Sequence, residues 1–191
     1  MKVITAPHPT LRQKARPITK ADKKIISFVK NLETTLSGAR DPKGVGLAAP
    51  QVNKSWRIFA TQLKNQTNKE SPALHVFINP VIKKHSYKQI FGQKKDEPRL
   101  EGCLSIPSFY GPVPRWQWIE IEYQQIANGN LIEQKAKFED FNARVIQHEY
   151  DHLEGILFTD YILEYDLPIY KENKKTKKLE EIEDKSLLKI F

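Results

Sequence analysis

Two histidines stand four residues apart in His148-Glu149-Tyr150-Asp151-His152, with a carboxylate directly after the first. On an α-helix, positions i and i+4 share a face, so the two imidazoles can bind one metal ion. Glu149 projects beside that ion, where a carboxylate holds a water and moves its proton without being a ligand. The same spacing also fits an ordinary amphipathic helix whose histidines are core or surface residues. A catalytic site of tetrahedral geometry needs a third protein ligand and one position open to water. His8, His75, His85, Cys103 and the carboxylates are the candidates. His75 alternates with apolar residues in an expected strand, and His85 follows two lysines in a polar turn; both read as unliganded. Cys103 lies in Glu101-Gly102-Cys103-Leu104-Ser105, where the glycine permits close backbone approach. A lone cysteine is otherwise a small buried hydrophobe.

The elements that must position these groups follow from periodicity. Ile25, Val29, Leu32 and Leu36 predict an amphipathic helix over residues 22–37, with Gly38 as its C-terminal cap. Residues 39–51 hold glycines, Pro42 and Pro50 and read as a loop. Strands are expected at residues 56–61 and 74–78, joined by a polar surface loop over residues 64–71. Residues 98–114 are broken by prolines and glycines, with one short extended piece around Cys103. Ile119, Ile121 and Tyr123 alternate with acids, Asn128-Gly129 supplies a tight turn, and residues 131–138 return as the second arm of a hairpin. A helix over residues 140–154 follows. It puts Phe141, Val145, His148 and His152 on one stripe and ends at Gly155.

At 191 residues the chain suits one hydrophobic core, and its composition, 39% hydrophobic and 28% charged, is that of a soluble globular protein. Residues 1–165 are expected to form a single catalytic metallohydrolase domain. Residues 166–191, with Lys174, Lys175, Lys177 and Lys178, form an extension that is either a final hairpin or a mobile tail. No apolar run reaches bilayer-spanning length and no secretory signal is expected, so no membrane partner is expected either. One cysteine excludes an internal disulfide and points to a reducing, cytoplasmic setting. The net charge of +8 is carried by lysines mixed with acids, without a nucleic-acid motif. Sequence-specific nucleic-acid binding is therefore not expected, whereas weak association with an RNA-rich body such as the ribosome is.

Three segments together carry a family resemblance. Gly44-Val45-Gly46-Leu47-Ala48-Ala49-Pro50-Gln51, then Glu101-Gly102-Cys103-Leu104-Ser105, then Gln147-His148-Glu149-Tyr150-Asp151-His152 resemble the peptide deformylases in order and rough spacing. The opening Ala6-Pro7-His8-Pro9-Thr10-Leu11-Arg12 is similar as well, and the likeness covers roughly residues 3–160. It implies an α+β fold in which antiparallel sheets wrap around the central helix carrying the histidines. It also implies that Cys103, His148 and His152 bind one divalent metal, iron(II) above zinc, nickel or cobalt. The reaction implied is hydrolysis of the formamide on the N-terminal formyl-methionine of nascent peptides, releasing formate.

Within that resemblance Glu149 is the general base and then the general acid. The Gln51 side chain and the Leu104 backbone N–H stabilise the oxyanion. Gly44, Gly46 and Gly102 let an extended peptide lie close, docking as an added strand. Val45, Phe141 and Val145 form an apolar pocket for methionine, with nothing to pair a charged first side chain. Glu101 and Arg115 resemble an ion pair that braces the cysteine strand. Many members carry an arginine shortly after the cysteine motif, near the peptide backbone. The match here is Tyr110, which keeps a hydrogen-bonding group and loses the charge. Two other readings stand beside this one. A zinc endopeptidase would take its third ligand from Glu154, Glu164 or Glu172, and a silent relative would only bind nascent chains.

Overall fold

The structure, a computed structural model, describes residues 1–39, 44–63, 73–91 and 99–191. Its first helix, α1 (Lys23–Gly38), starts where the Asp22 carboxylate accepts the Ile25 N–H at 2.9 Å. Gly38 is the last helical residue and Ala39 takes the cap position, one residue later than the sequence predicts. The apolar stripe Ile25, Phe28, Val29, Leu32 and Leu36 packs on one face of a five-stranded antiparallel sheet. That sheet contains β1 (Gly46–Ala48), β2 (Ile58–Leu63), β3 (Ala73–His85), β8 (Trp118–Ala127) and β9 (Asn130–Glu139), in this spatial order.

Alternation along the strands divides the two faces. Ile58, Ala60, Val76 and Ile78 point toward α1, whereas Phe59, Phe77, Ile119, Ile121, Tyr123 and Phe138 point the other way. The second set buries α2 (Asp140–Glu154) through Ala143, Val145, Ile146 and Leu153. The central strands are thus covered on both sides, which is why β2 is buried along nearly its whole length.

A second sheet orders β11 (Leu179–Glu181), β10 (Tyr170–Glu172), β6 (Ile106–Pro112) and β5 (Leu100–Cys103). A short pair, β4 (Gln89–Ile90) with β7 (Arg115–Trp116), and the helix α3 (Phe158–Glu164) complete the described strands and α-helices. The third apolar cluster, around Leu11, Cys103, Ile106, Val113, Phe158 and Ile162, also takes in Ile169 and Leu188 from the C-terminal segment. Antiparallel sheets therefore flank a central helix bearing both histidines, the α+β arrangement that the resemblance implies. No described helix is long and apolar enough to cross a membrane.

Several boundaries differ from the sequence reading. The strand expected at 74–78 continues to His85, because a bulge between Ile78 and Val81 accommodates Pro80, which has no N–H for the ladder. Asn79 sits there at φ 49°, and its side chain is bonded to Ile18 N, Ile18 O and Gln124 Oε1. The expected irregular stretch after residue 98 is instead a hairpin of β5 and β6. Part of the 39–51 loop is strand β1, followed by a 3-10 turn at Ala49–Val52. The C-terminal segment forms a hairpin, β10 with β11, and β10 pairs with β6. The polar loop expected at 64–71 lies outside the described residues.

Candidate metal centre and active site

Helix α2 presents His148 and His152 on its inner face, and β5 delivers Cys103 opposite them. The three ligand atoms lie within 4.8 Å of one another. Cys103 Sγ is 3.2 Å from His152 Nε2 and accepts long contacts of 3.4 Å from Gln51 Nε2 and the Ser105 N–H. The N-terminal strap aligns these parts. The Ile4 N–H donates to Gln51 O and the Ala6 N–H to Ser105 O, both at 2.8 Å, so one segment joins the Gln51 turn to the cysteine strand.

Glu101 orients His148. Its Oε2 accepts the His148 Nδ1–H at 3.0 Å, which leaves Nε2 as the nitrogen available to an ion. Arg115 grips the same carboxylate with Nε at 3.0 Å and Nη2 at 2.9 Å, and its Nη1 bonds Asp151. The expected Glu101–Arg115 pair is therefore brought together, and it is wired back to the helix. Burial opposes the charge on Glu101, but Arg115 and His148 more than offset it and hold its carboxyl far below the usual range. Burial likewise presses the His148 imidazolium down, yet contacts with Cys103 and Glu101 reverse this and stabilise positive charge at that point. Burial keeps His152 neutral, the form that offers a lone pair. A thiol, two imidazoles and a locus that favours positive charge fit one divalent cation.

Glu149 is 3% exposed, and its Oε2 has no hydrogen-bond partner among the described residues. Burial raises its carboxyl pKa to about 7, while the neighbouring His148 charge pulls it down. The carboxylate fits because Gly46 has no side chain: a Cβ there would stand 2.2 Å from Glu149 Oε1. The sequence reading gives Gly46 to the substrate, and the structure shows that Glu149 already uses its missing side chain. The same holds at Gly102, where a Cβ would stand 2.6 Å from the Tyr110 ring. Gly44 backs onto Leu36, Ala39 and Leu104. Gln51 is fixed because its Oε1 accepts the Ala48 N–H at 2.7 Å, which turns its amide NH2 toward the sulfur.

A cavity of about 220 Å³ opens beside Glu149. It is lined by every residue the sequence reading assigns to the substrate: Gly44, Val45, Gly46, Gly102, Tyr110, Phe141 and Val145. Leu104 and Gln51 border it as well. Arg99 and Arg144 also line it, which corrects the expectation of a lining without charge. Arg144 lies four residues before His148, so helical spacing alone could have flagged it. Arg99 had no such signal. The other histidines are occupied elsewhere: His8 Nδ1 accepts the Thr10 N–H, His85 stacks on Trp116 with centroids 3.8 Å apart, and His75 lies in β3. Glu154 is paired with Lys14 and Arg57, and Glu172 with Lys177, and among the described residues none of Glu154, Glu164 and Glu172 joins the histidine cluster.

Residues 1–167 match the polypeptide deformylase family. The chain belongs to that family. A peptide deformylase 2 from Nostoc is 40% identical over 166 residues, covering 85% of this chain and 86% of its own. A peptide deformylase from Desulfotalea psychrophila is 35% identical over 93% of this chain and 95% of its own. The crystal structure of the Thermotoga maritima peptide deformylase superposes with a TM-score of 0.68, with 32% identity over 84% of this chain and 95% of that one. The chain is thus a deformylase, a hydrolase that removes the formyl group from N-formyl-methionyl proteins, and its Cys103, His148 and His152 form a cluster able to hold a divalent metal.

Proposed function

We propose that Cys103, His148 and His152 are the metal ligands and that iron(II) is the working ion, with zinc, nickel or cobalt able to occupy the same donors. A divalent ion held there supplies Lewis acidity, bringing the pKa of a bound water toward about 7. Glu149 would accept the proton of the attacking water and return it to the departing amine. The observation that carries this reading is its buried, unpartnered Oε2 beside three clustered ligand atoms. Gln51 Nε2 carries two N–H groups, and one remains for the oxyanion when the other faces Cys103 Sγ. With the Leu104 N–H it stabilises the charge that develops on the formyl oxygen, an effect of about 3–4 kcal/mol for one such donor.

The substrate backbone docks between β1 and β5, each the terminal strand of its sheet. Gly44, Val45, Gly46 and Gly102 border that cleft, Tyr110 faces the peptide, and Phe141 and Val145 receive the first side chain. Recognition through backbone suits an enzyme that meets many nascent chains. Glu101 and Arg115 act by holding His148. The net charge of +8 supports transient association with the ribosome in a cytoplasmic setting. Elemental analysis of anaerobically purified protein, coupled to turnover of formyl-Met-Ala-Ser, tests the proposal. Stoichiometric iron with fast turnover is expected, and metal-loaded protein that leaves the formyl peptide intact would refute it.

A further inference from the structure

The cavity that receives the first side chain is apolar along most of its wall, through Val45, Leu104, Ile106, Phe141 and Val145. Two guanidinium groups interrupt that wall. Phe141 precedes His148 by seven residues, about 10.5 Å along the helix axis. From the metal ligands, a formyl amide followed by an extended four-atom side chain covers a comparable reach. The cavity beside His148 and Glu149 also takes in Phe141, so a methionine side chain that fills it approaches that ring. Arg99 lies there, with its guanidinium carbon 4.5 Å from the Phe141 ring centre. A guanidinium held over a ring by a cation–π contact keeps five N–H donors, and those not facing the ring can meet an acceptor.

The two arginines are not equivalent. Arg144 is 6% exposed and committed: Nη1 donates to Glu101 Oε1 at 2.8 Å and to Val113 O at 2.7 Å, and Nη2 to Ile90 O at 2.8 Å. Arg99 is exposed, and among the described residues its guanidinium has no carboxylate at ion-pair distance. Burial lowers the Arg144 pKa, Glu101 opposes this, and the neighbouring Arg115 and Arg99 charges push it further down. The Arg99 charge is thus near enough to act on Arg144, whose own partner is Glu101, and Arg99 is left as the guanidinium that can turn to an incoming acceptor.

We infer that Arg99 is a specificity-determining residue that lets the pocket accept a first side chain of methionine length ending in an acceptor oxygen, with N-formyl-methionine sulfoxide as the natural case. Methionine oxidation turns the apolar thioether into a polar group at that position, where a wholly apolar pocket would leave its oxygen unpaired. The inference rests on the deformylase reading and deepens its substrate range.

The test measures kcat/KM for the formyl-norleucyl, formyl-methionyl and formyl-methionine-sulfoxide forms of the X-Ala-Ser peptide on single enzyme samples. Ratios taken within one sample are insensitive to partial loss of metal or fold. The wild type should process the sulfoxide within about tenfold of norleucine, because a hydrogen bond from a charged donor offsets the cost of burying the oxygen. Arg99→Leu should lower the sulfoxide-to-norleucine ratio by roughly tenfold or more and move the methionine-to-norleucine ratio by less than about threefold. Arg99→Lys, which keeps the charge, should recover part of the loss. An unchanged sulfoxide-to-norleucine ratio in Arg99→Leu would overturn the inference while leaving the deformylase reading intact. Turnover of none of the peptides would overturn both.

Discussion

Glu149 illustrates how one side chain's chemistry depends on an absence at another position. Its carboxylate is buried against Gly46, and any larger residue there must displace it. Gly46→Ala is therefore expected to lower kcat by more than about tenfold with a smaller change in KM, as loss of an interaction made in the transition state does. Steady-state kinetics at matched metal content checks this. Wild-type kcat in Gly46→Ala would mean that the carboxylate can shift without consequence. Glu149→Gln keeps shape and most hydrogen bonding but cannot accept a proton. It should retain metal and lose about 10²–10⁴-fold in turnover. Retention of more than a tenth of wild-type kcat, with metal content unchanged, would remove Glu149 from the base role.

At the scale of elements, α2 is the part on which the rest is assembled. It ends at Gly155, φ 77°, whose N–H bonds the Asp151 and His152 carbonyls. A Cβ at this glycine would stand 2.8 Å from the Arg12 backbone carbonyl. Gly155→Ala therefore combines a left-handed conformation with a clash, and it should destabilise the fold by more than about 1 kcal/mol. Urea unfolding would register this as a lower midpoint with an unchanged slope. A midpoint equal to the wild type would show that the strap carrying Arg12 can retreat freely. Strand β5 is tied to α2 through Glu101, Arg115, Asp151 and Arg144, so the cysteine and the histidines are held by one buried charge network. Such a network positions groups well, and breaking it by removing one partner is costly.

For the whole molecule, the metal should act as a cross-link between β5 and α2. An ion present at a thousand times its dissociation constant stabilises the native state by about 4 kcal/mol. For a chain of this size that corresponds to a rise in Tm on the order of 8–16 °C. Removing metal with a chelator should lower Tm by such an amount and abolish turnover, and adding iron(II) or nickel(II) should restore both. A Tm indifferent to chelation, in protein shown by elemental analysis to have lost its metal, would argue against coordination across these two elements. The C-terminal segment belongs to the same assembly. Leu188 is 1% exposed, and the Phe191 ring meets Phe109 of β6 with centroids 5.7 Å apart.

Local signals were enough for the features that depend on neighbours in the chain. Helix α2 and its end at Gly155, and the hairpin of β8 and β9 closed by Asn128-Gly129, are legible because helical period, left-handed glycine and tight-turn chemistry act over a few residues. The cluster of Cys103, His148 and His152 was legible through resemblance, since nothing in the spacing of Cys103 from His148 dictates that they meet. The length of β3, the β5–β6 hairpin and the docking of β10 depended instead on partners far along the chain. The terminal hairpin left little pattern because β11 is exposed throughout, so no burial constrains its residue types. Arg99, Arg144 and the separate uses of Gly46 and Gly102 emerge only when sheets close around α2. A charge or a missing Cβ acquires its meaning from what packing brings against it, and sequence distance carries no record of that contact.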